Sequence, residues 1–453
     1  MPPSSTPVIV LLSLWSAAAW AQAPKQQLVP WEDPDWDKPA NAARRQQLEH
    51  TKIFNSARAR PPRTLRLLRQ NPRAYQQPDR LPPNVLLGDM LWHAPKLLGP
   101  RAAAFGLSCN SCHPNGAVTN TIDAGEHSDR KGNIDLLNDY FQPLADDGVF
   151  APRNVASMRG VRDPWPYLRD GSLRTLGEGI VGTITGEFGQ VARPEYVAAL
   201  AVFLAQQDFV PNAQLDELGR LTAKASAQAR AGETLFKASY QGFGGKSCAS
   251  CHVPDSFFTD HRPHPLHHGE GKGSTTPNEG YKTPTLLNLA ESWPYFFDGS
   301  AETLAEAVAL IAARHQLGLS DAERANLTAY LAAVGAVDWP ARVPTLAERF
   351  EETLAFLSLA LTGPFVDDAG VWELTLDTVR HGLRDAALDA APVERARVEA
   401  AVAEYEQWVA KAEAKQPSAA ARARLLELRT RLTRAGQEPA QDKRSATKAA
   451  GSR

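Results

Sequence analysis

Two segments of the chain read Cys-x-x-Cys-His. They are Cys109-Asn-Ser-Cys112-His113 and Cys248-Ala-Ser-Cys251-His252, and together they use all 4 cysteines of the 453 residues. Thiols three positions apart can form thioethers to the two vinyl groups of a haem, and the histidine that follows is placed to ligate the iron. Paired redox thiols do not need a histidine after each second cysteine. A single zinc site would have to gather four thiolates across a gap of well over a hundred residues. The pattern therefore predicts two covalently bound haem c groups. Cys109, Cys112, Cys248 and Cys251 carry them, and His113 and His252 are the iron ligands.

The chain repeats itself beyond these motifs. Trp165-Pro-Tyr-Leu-Arg-Asp170-Gly-Ser-Leu-Arg-Thr-Leu176 follows the first motif, and Trp293-Pro-Tyr-Phe-Phe-Asp298-Gly-Ser-Ala-Glu-Thr-Leu304 follows the second. Eight of the twelve positions are identical. An Asp-Gly-Ser turn leading into Thr-Leu is good chemistry for starting a helix. Helical periodicity follows each copy, over 177–184 and 305–313, and each half ends on an apolar helix, over 196–206 and 324–334. A repeat of this kind predicts two homologous domains in tandem.

The expected organisation is a signal peptide at 1–21, an irregular Pro-, Arg- and Gln-rich arm at 22–84, and a first cytochrome c-like haem domain at 85–212. A second such domain spans 213–340, followed by a helical extension at 341–435 and a polar tail at 436–453. The signal is read from an apolar run, Val8 to Trp20, ending in Ala19-Trp20-Ala21, which fits small-x-small cleavage. Export to the periplasm agrees with the cysteine usage. Amphipathic periodicity in the extension predicts helices over 346–361, 371–388, 393–415 and 419–434. Strand signals are sparse, so the fold class is mainly α. A formal net charge of −2 gives no electrostatic case for nucleic acid, and no apolar stretch after the signal is long enough to span a membrane.

The segment Gly88-Asp-Met-Leu-Trp-His-Ala-Pro-Lys-Leu-Leu, running into Ser108-Cys109, resembles the entry to the first haem of bacterial dihaem cytochrome c peroxidases and MauG-like enzymes. Gly232-Glu-Thr-Leu-Phe236 resembles the entry to their second haem. Phe258-Thr-Asp260, Lys282-Thr-Pro-Thr-Leu-Leu-Asn288 and Thr303-Leu-Ala-Glu-Ala-Val308 extend the resemblance over roughly residues 85 to 335, leaving the arm and the C-terminal helices outside it. The resemblance implies that hydrogen peroxide is reduced at the N-terminal haem with electrons relayed through the C-terminal one. The donor would be a small cytochrome c or cupredoxin. MauG-like members instead oxidise side chains of a substrate protein, and a dihaem electron-transfer cytochrome is the non-enzymatic alternative.

Peroxide chemistry needs a group that moves a proton between the two peroxide oxygens. Glu187, in Gly182-Thr-Ile-Thr-Gly-Glu187-Phe-Gly, lies where the family carries its distal glutamate, with Glu178 as runner-up. The loop Gly148-Val-Phe-Ala-Pro-Arg153-Asn154 lacks the histidine that caps the first iron in the inactive peroxidases, and His127 lies earlier in the chain. The helix after Thr303 lacks the family's methionine, so His315 is the expected sixth ligand of the second iron, with Tyr295 the alternative. The inter-haem tryptophan of the family is replaced by Arg169, and Trp165 lies four residues earlier. A Ca²⁺ ion between the domains is implied at Asn154, Thr283 and Pro284. His261, His264, His267 and His268 read as a loop near the second haem edge rather than a metal site.

Overall fold

Residues Val85 to Trp92 form an unbroken apolar stretch apart from Gly88 and Asp89, and a helix with that sequence must be covered on all sides. The computed structural model describes residues 81–113, 116, 127–135, 148–264, 280–338, 345–388 and 390–437. The signal peptide, most of the N-terminal arm and the tail from 438 lie outside the described residues, as do His267 and His268. Helix α1 (Pro83–Trp92) is buried at every position from Val85 to Trp92.

One face of α1 crosses α3 (Pro194–Leu204) at Gly88, where an added Cβ would lie 2.0 Å from the Ala199 carbonyl oxygen. The second half repeats this crossing. Helix α4 (Ala227–Lys237) meets α6 (Asp321–Val334) at Gly232, whose added Cβ would lie 2.0 Å from the Asn326 carbonyl oxygen. Each glycine is followed four residues later by a buried aromatic, Trp92 or Phe236, on the same helical face.

The repeated turns also fold alike. Tyr167 bridges Leu173 and Tyr295 bridges Ala301, and each turn leads into a capping box. Thr175 with Glu178 starts α2 (Leu176–Val181), and Thr303 with Glu306 starts α5 (Leu304–Arg314). The two domains are stitched together across these turns. The pair β1 (Asn133–Ile134) and β2 (Arg153–Asn154) belongs to the first domain, and β3 (Pro263–His264) pairs with β4 (Tyr281–Lys282) in the second. Asn154 donates its backbone N–H to the Phe297 carbonyl at 2.8 Å and its buried side-chain amide to the Pro294 carbonyl at 2.8 Å. The Lys282 N–H donates to the Arg169 carbonyl at 2.8 Å.

The extension supplies α7 (Leu346–Ala355), α8 (Leu357–Leu361), α9 (Ala369–Leu388), α10 (Pro392–Val409) and α11 (Ala419–Gly436). These agree closely with the helices expected from periodicity. The extension shares one hydrophobic core with the first haem domain, running from α1 and α3 through Leu357, Val379 and Leu383 to Leu428. The Thr378 hydroxyl on α9 donates to the Met90 sulfur at 3.4 Å on the side of α1 away from α3. The apolar circumference of α1 is thus explained by a cover on both sides.

Candidate functional site

Both motifs form a helical turn opened by a serine pair, Ser108 with Ser111 and Ser247 with Ser250. In each, the histidine N–H donates to the first cysteine's carbonyl at 2.9 Å. The imidazoles are then oriented by backbone. His113 Nδ1 lies 2.8 Å from the Ala156 carbonyl, and His252 Nδ1 lies 3.2 Å from the Phe258 carbonyl. An Nδ1–H held by a carbonyl fixes the tautomer whose Nε2 lone pair is available to a metal. Desolvation pushes the His113 pKa down to about 4 and lowers that of His252, so both rings are neutral near pH 7.

The thiols behave in the opposite sense. Desolvation, then the neighbouring Cys112 and Glu187, raises Cys109 to about 12, while Cys112 and Cys248 rise to about 11. Neutral thiols of this kind do not suit a reactive redox dithiol. The four cysteines are unbridged, and among the described residues no cluster of potential metal ligands brings them together.

A haem fits these surroundings. Each motif histidine faces an aromatic of the N-terminal helix of its domain, His113 against Trp92 at 5.9 Å and His252 against Phe236 at 6.5 Å between ring centroids. Two buried donors beside the motifs, Trp92 Nε1 and the Tyr330 hydroxyl, have no protein acceptor. Such orphans in an otherwise apolar wall are the mark of a site completed by a bound group. The residues that would hold it are the four cysteines and the two histidines.

Glu187 ends a short π-helix, Gly182–Glu187, that continues α2. π-Helical turns recur at functional sites because they displace a side chain from the regular helical register. The Glu187 carboxylate is close enough to raise both Cys109 and Cys112, and desolvation raises its own pKa. Glu178, by contrast, is spent on the capping box: its carboxylate accepts the N–H groups of Arg174 at 2.8 Å and Thr175 at 3.2 Å. The structure therefore separates the two acids that the sequence left as candidates.

His315 caps the C-terminus of α5 with its ring 4.3 Å from Phe243, and desolvation, then Arg314, lowers its pKa. The Tyr295 hydroxyl donates to the Leu289 carbonyl at 3.2 Å, as that of its repeat partner Tyr167 does to Arg162 at 3.4 Å. This shared bond explains the tyrosines as turn locks. His127 contributes its carbonyl to the Asp135 N–H. Asn154, Thr283 and Pro284 are engaged with protein: Asn154 with Pro294, the Thr283 carbonyl with the Thr259 hydroxyl at 2.7 Å, and the Pro284 carbonyl with His252.

Trp165 reaches across the domain boundary and stacks on His261, with centroids 4.6 Å apart and planes 17° from parallel. His261 Nδ1–H donates to the Trp165 carbonyl at 2.6 Å. Trp165 thus has an aromatic partner from the other domain. His264 pairs with Asp260 at 2.6 Å, and Cys251 joins them within 4.8 Å. That triple is a metal-like grouping that no local sequence pattern reveals, because it joins the Cys251 motif to the histidine loop in space.

The chain matches the family model described as di-haem cytochrome c peroxidase over residues 226–416. The match covers the second motif and runs into the helical extension, beyond the reach of the motif resemblance, and it does not reach the first motif. A comparison with curated proteins returns no match. Similar solved structures include Kuenenia stuttgartiensis hydrazine synthase, at 21% identity and TM-score 0.36, covering 54% of this chain and 85% of that one. A MauG-like protein associated with microbial copper homeostasis is similar at 18% identity and TM-score 0.39, covering 55% and 88%. Among the described residues no helix is long and apolar enough to cross a membrane. The matched family is one of haem oxidoreductases, and residues 226–416 of the chain are similar to the di-haem cytochrome c peroxidase family.

Proposed function

We propose that the protein is an exported dihaem c-type cytochrome that reduces hydrogen peroxide at its N-terminal haem, with electrons relayed through the C-terminal one. The observation that carries this reading is the position of Glu187, a carboxyl with raised pKa beside Cys109 and Cys112. When bound through those cysteines and His113, a haem supplies an iron that accepts and donates single electrons. Ala156 holds the proton on His113 Nδ1 and so keeps Nε2 free for ligation. The Glu187 carboxylate takes the proton from one peroxide oxygen and returns it to the other, so that the departing oxygen leaves as water. Two electrons and two protons complete the conversion of one peroxide to two waters, and a small reduced cytochrome c or cupredoxin is the electron source.

In the same reading His315 offers a second imidazole to the C-terminal haem. Its support is a depressed proton affinity and a place against Phe243, on the turn that leads into Cys248. The decisive experiment combines two measurements on protein matured with haem. The ferric spectrum should contain one high-spin haem, and Glu187→Gln should slow the peroxide reaction by about a hundredfold or more at unchanged haem content. Two low-spin haems that never react with peroxide would leave only electron transfer. A long-lived oxidised state without a donor protein would favour oxidation of a substrate protein.

A further inference from the structure

Outside the haem domains, the extension contains a cavity of its own. It has a volume of about 280 Å³ and lies where α7 crosses α11. The two helices approach closely at one point, where an added Cβ on Gly436 would lie 2.5 Å from the Phe350 Cβ. The cavity adjoins that contact, with the buried side chains of Phe350, Leu354 and Ala355 on its α7 side. The α11 side carries Arg429 and Thr433, four residues apart on one helical face. The Thr433 hydroxyl donates to the Arg429 carbonyl at 2.9 Å, so its proton is committed. Other arginines of α11 are paired, Arg422 with Asp367, Arg424 with Glu404 and Glu427, and Arg431 with Glu404. The half-buried Arg429 differs: among the described residues no group accepts from its guanidinium. Glu351 lines the same cavity from α7 yet makes no ion pair with it.

We infer that this cavity binds a small organic monocarboxylate, its carboxylate held by Arg429 and its hydrocarbon body laid on Phe350, Leu354 and Ala355. A partly desolvated cation without a partner is unfavourable, and a planar guanidinium matches a carboxylate in shape and can donate to it twice. Desolvation lowers the Arg429 pKa, and no neighbouring acid offsets the lowering, as a bound anion would. Glu351 in the same cavity repels a second negative charge, which selects a monoanion. Size sets the body. An apolar cavity of about 150 Å³ admits benzene, so this one admits an acid of roughly six to eight carbons. None of the lining residues comes from a haem domain, so the site stands apart from the peroxide reading.

The test is isothermal titration of the full-length protein with hexanoate, beside hexanol and hexylamine, which keep the body and change the head. Hexanoate should bind saturably and raise the thermal midpoint, since Phe350 and Leu354 belong to the core shared with the first haem domain. Hexanol and hexylamine should bind about tenfold more weakly or worse. Arg429→Met should weaken hexanoate by about tenfold or more, and Arg429→Lys by less, because it keeps the charge and loses the planar fork. Ala347→Leu, at the cavity wall, should block binding with the guanidinium intact. Far-UV helicity shows whether each variant is folded, and the three probes on the parent decide the matter if one is not. Equal binding of the three probes, or undiminished hexanoate binding by folded Arg429→Met, overturns the site. So does a parent that shows no binding below about 10 mM. Binding that appears only in Glu438→Gln, which alters the residue after Gln437, would assign the cavity to the chain's own tail and overturn the proposal.

Discussion

The Asn154 side-chain amide donates to the Pro294 carbonyl at 2.8 Å, linking the strand that leads to His113 with the repeated turn of the other domain. Asn154 is buried, and its backbone N–H is also used across the boundary, on Phe297. Asn154→Ala should therefore leave the Pro294 carbonyl without its side-chain donor and cost about 1–3 kcal/mol. Urea unfolding of the variant checks this. A loss of less than about 0.5 kcal/mol would show that water replaces the amide without penalty.

Gly88 and Gly232 have no room for a methyl group, because the added carbon would lie 2.0 Å from a carbonyl oxygen in each case. A helix interior ordinarily gains up to about 1 kcal/mol from Gly→Ala. Here overpacking should exceed that gain, with a net loss of about 1–3 kcal/mol or more at either site. Thermal unfolding of Gly88→Ala and Gly232→Ala decides the matter, and stabilisation of either variant would refute the tight crossing.

Glu187 links the site to pH. Desolvation raises its pKa, so the folded chain keeps a proton that the unfolded chain releases. Stability contributed by this group thus falls as pH rises from the ordinary carboxylate value through the folded one. Glu187→Gln removes the titration. The variant should be more stable than the parent at neutral pH and equally stable in acid below the ordinary carboxylate pKa. Parallel stability–pH curves for the two proteins would rule out a raised pKa.

The shared core predicts that the extension and the first haem domain unfold together. Leu357 is fully buried in α8, and its cluster includes Met90 and Trp92. Leu357→Ala should cost about 2–5 kcal/mol. It should shift the loss of far-UV helicity and the change in first-haem absorbance to the same lower denaturant concentration. Separated transitions would mean that the extension folds by itself.

Capping offers a smaller, cleaner comparison. Thr175 and Thr303 occupy equivalent positions in the repeat, and each accepts the N–H of its glutamate at 3.1 Å. Substitution by alanine should cost about 0.5–2 kcal/mol at either site. The larger loss is expected at Thr175, which is 5% exposed and so has less access to replacement water. Equal costs in equilibrium unfolding would show that burial adds nothing to the cap.

The sequence by itself determined the local chemistry. Cysteine spacing singled out candidate attachment sites, the Trp-Pro-Tyr-x-x-Asp-Gly-Ser turn appeared twice, and apolar periodicity traced the C-terminal helices to within a few residues. These are short-range features, written in neighbouring side chains and caps. Tertiary structure decided what depends on approach between distant segments. It assigned Glu178 to a helix cap and Glu187 to the cysteines, although both follow the same turn. It stacked Trp165 on His261, brought Asp260 and His264 to Cys251, and tied the Lys282 backbone to that of Arg169. It also showed why α1 is apolar all round: α3 covers one side and the extension the other. No periodicity reveals such partners, because burial and charge are set by whichever segment packs against a residue, and here that segment is often more than a hundred residues away.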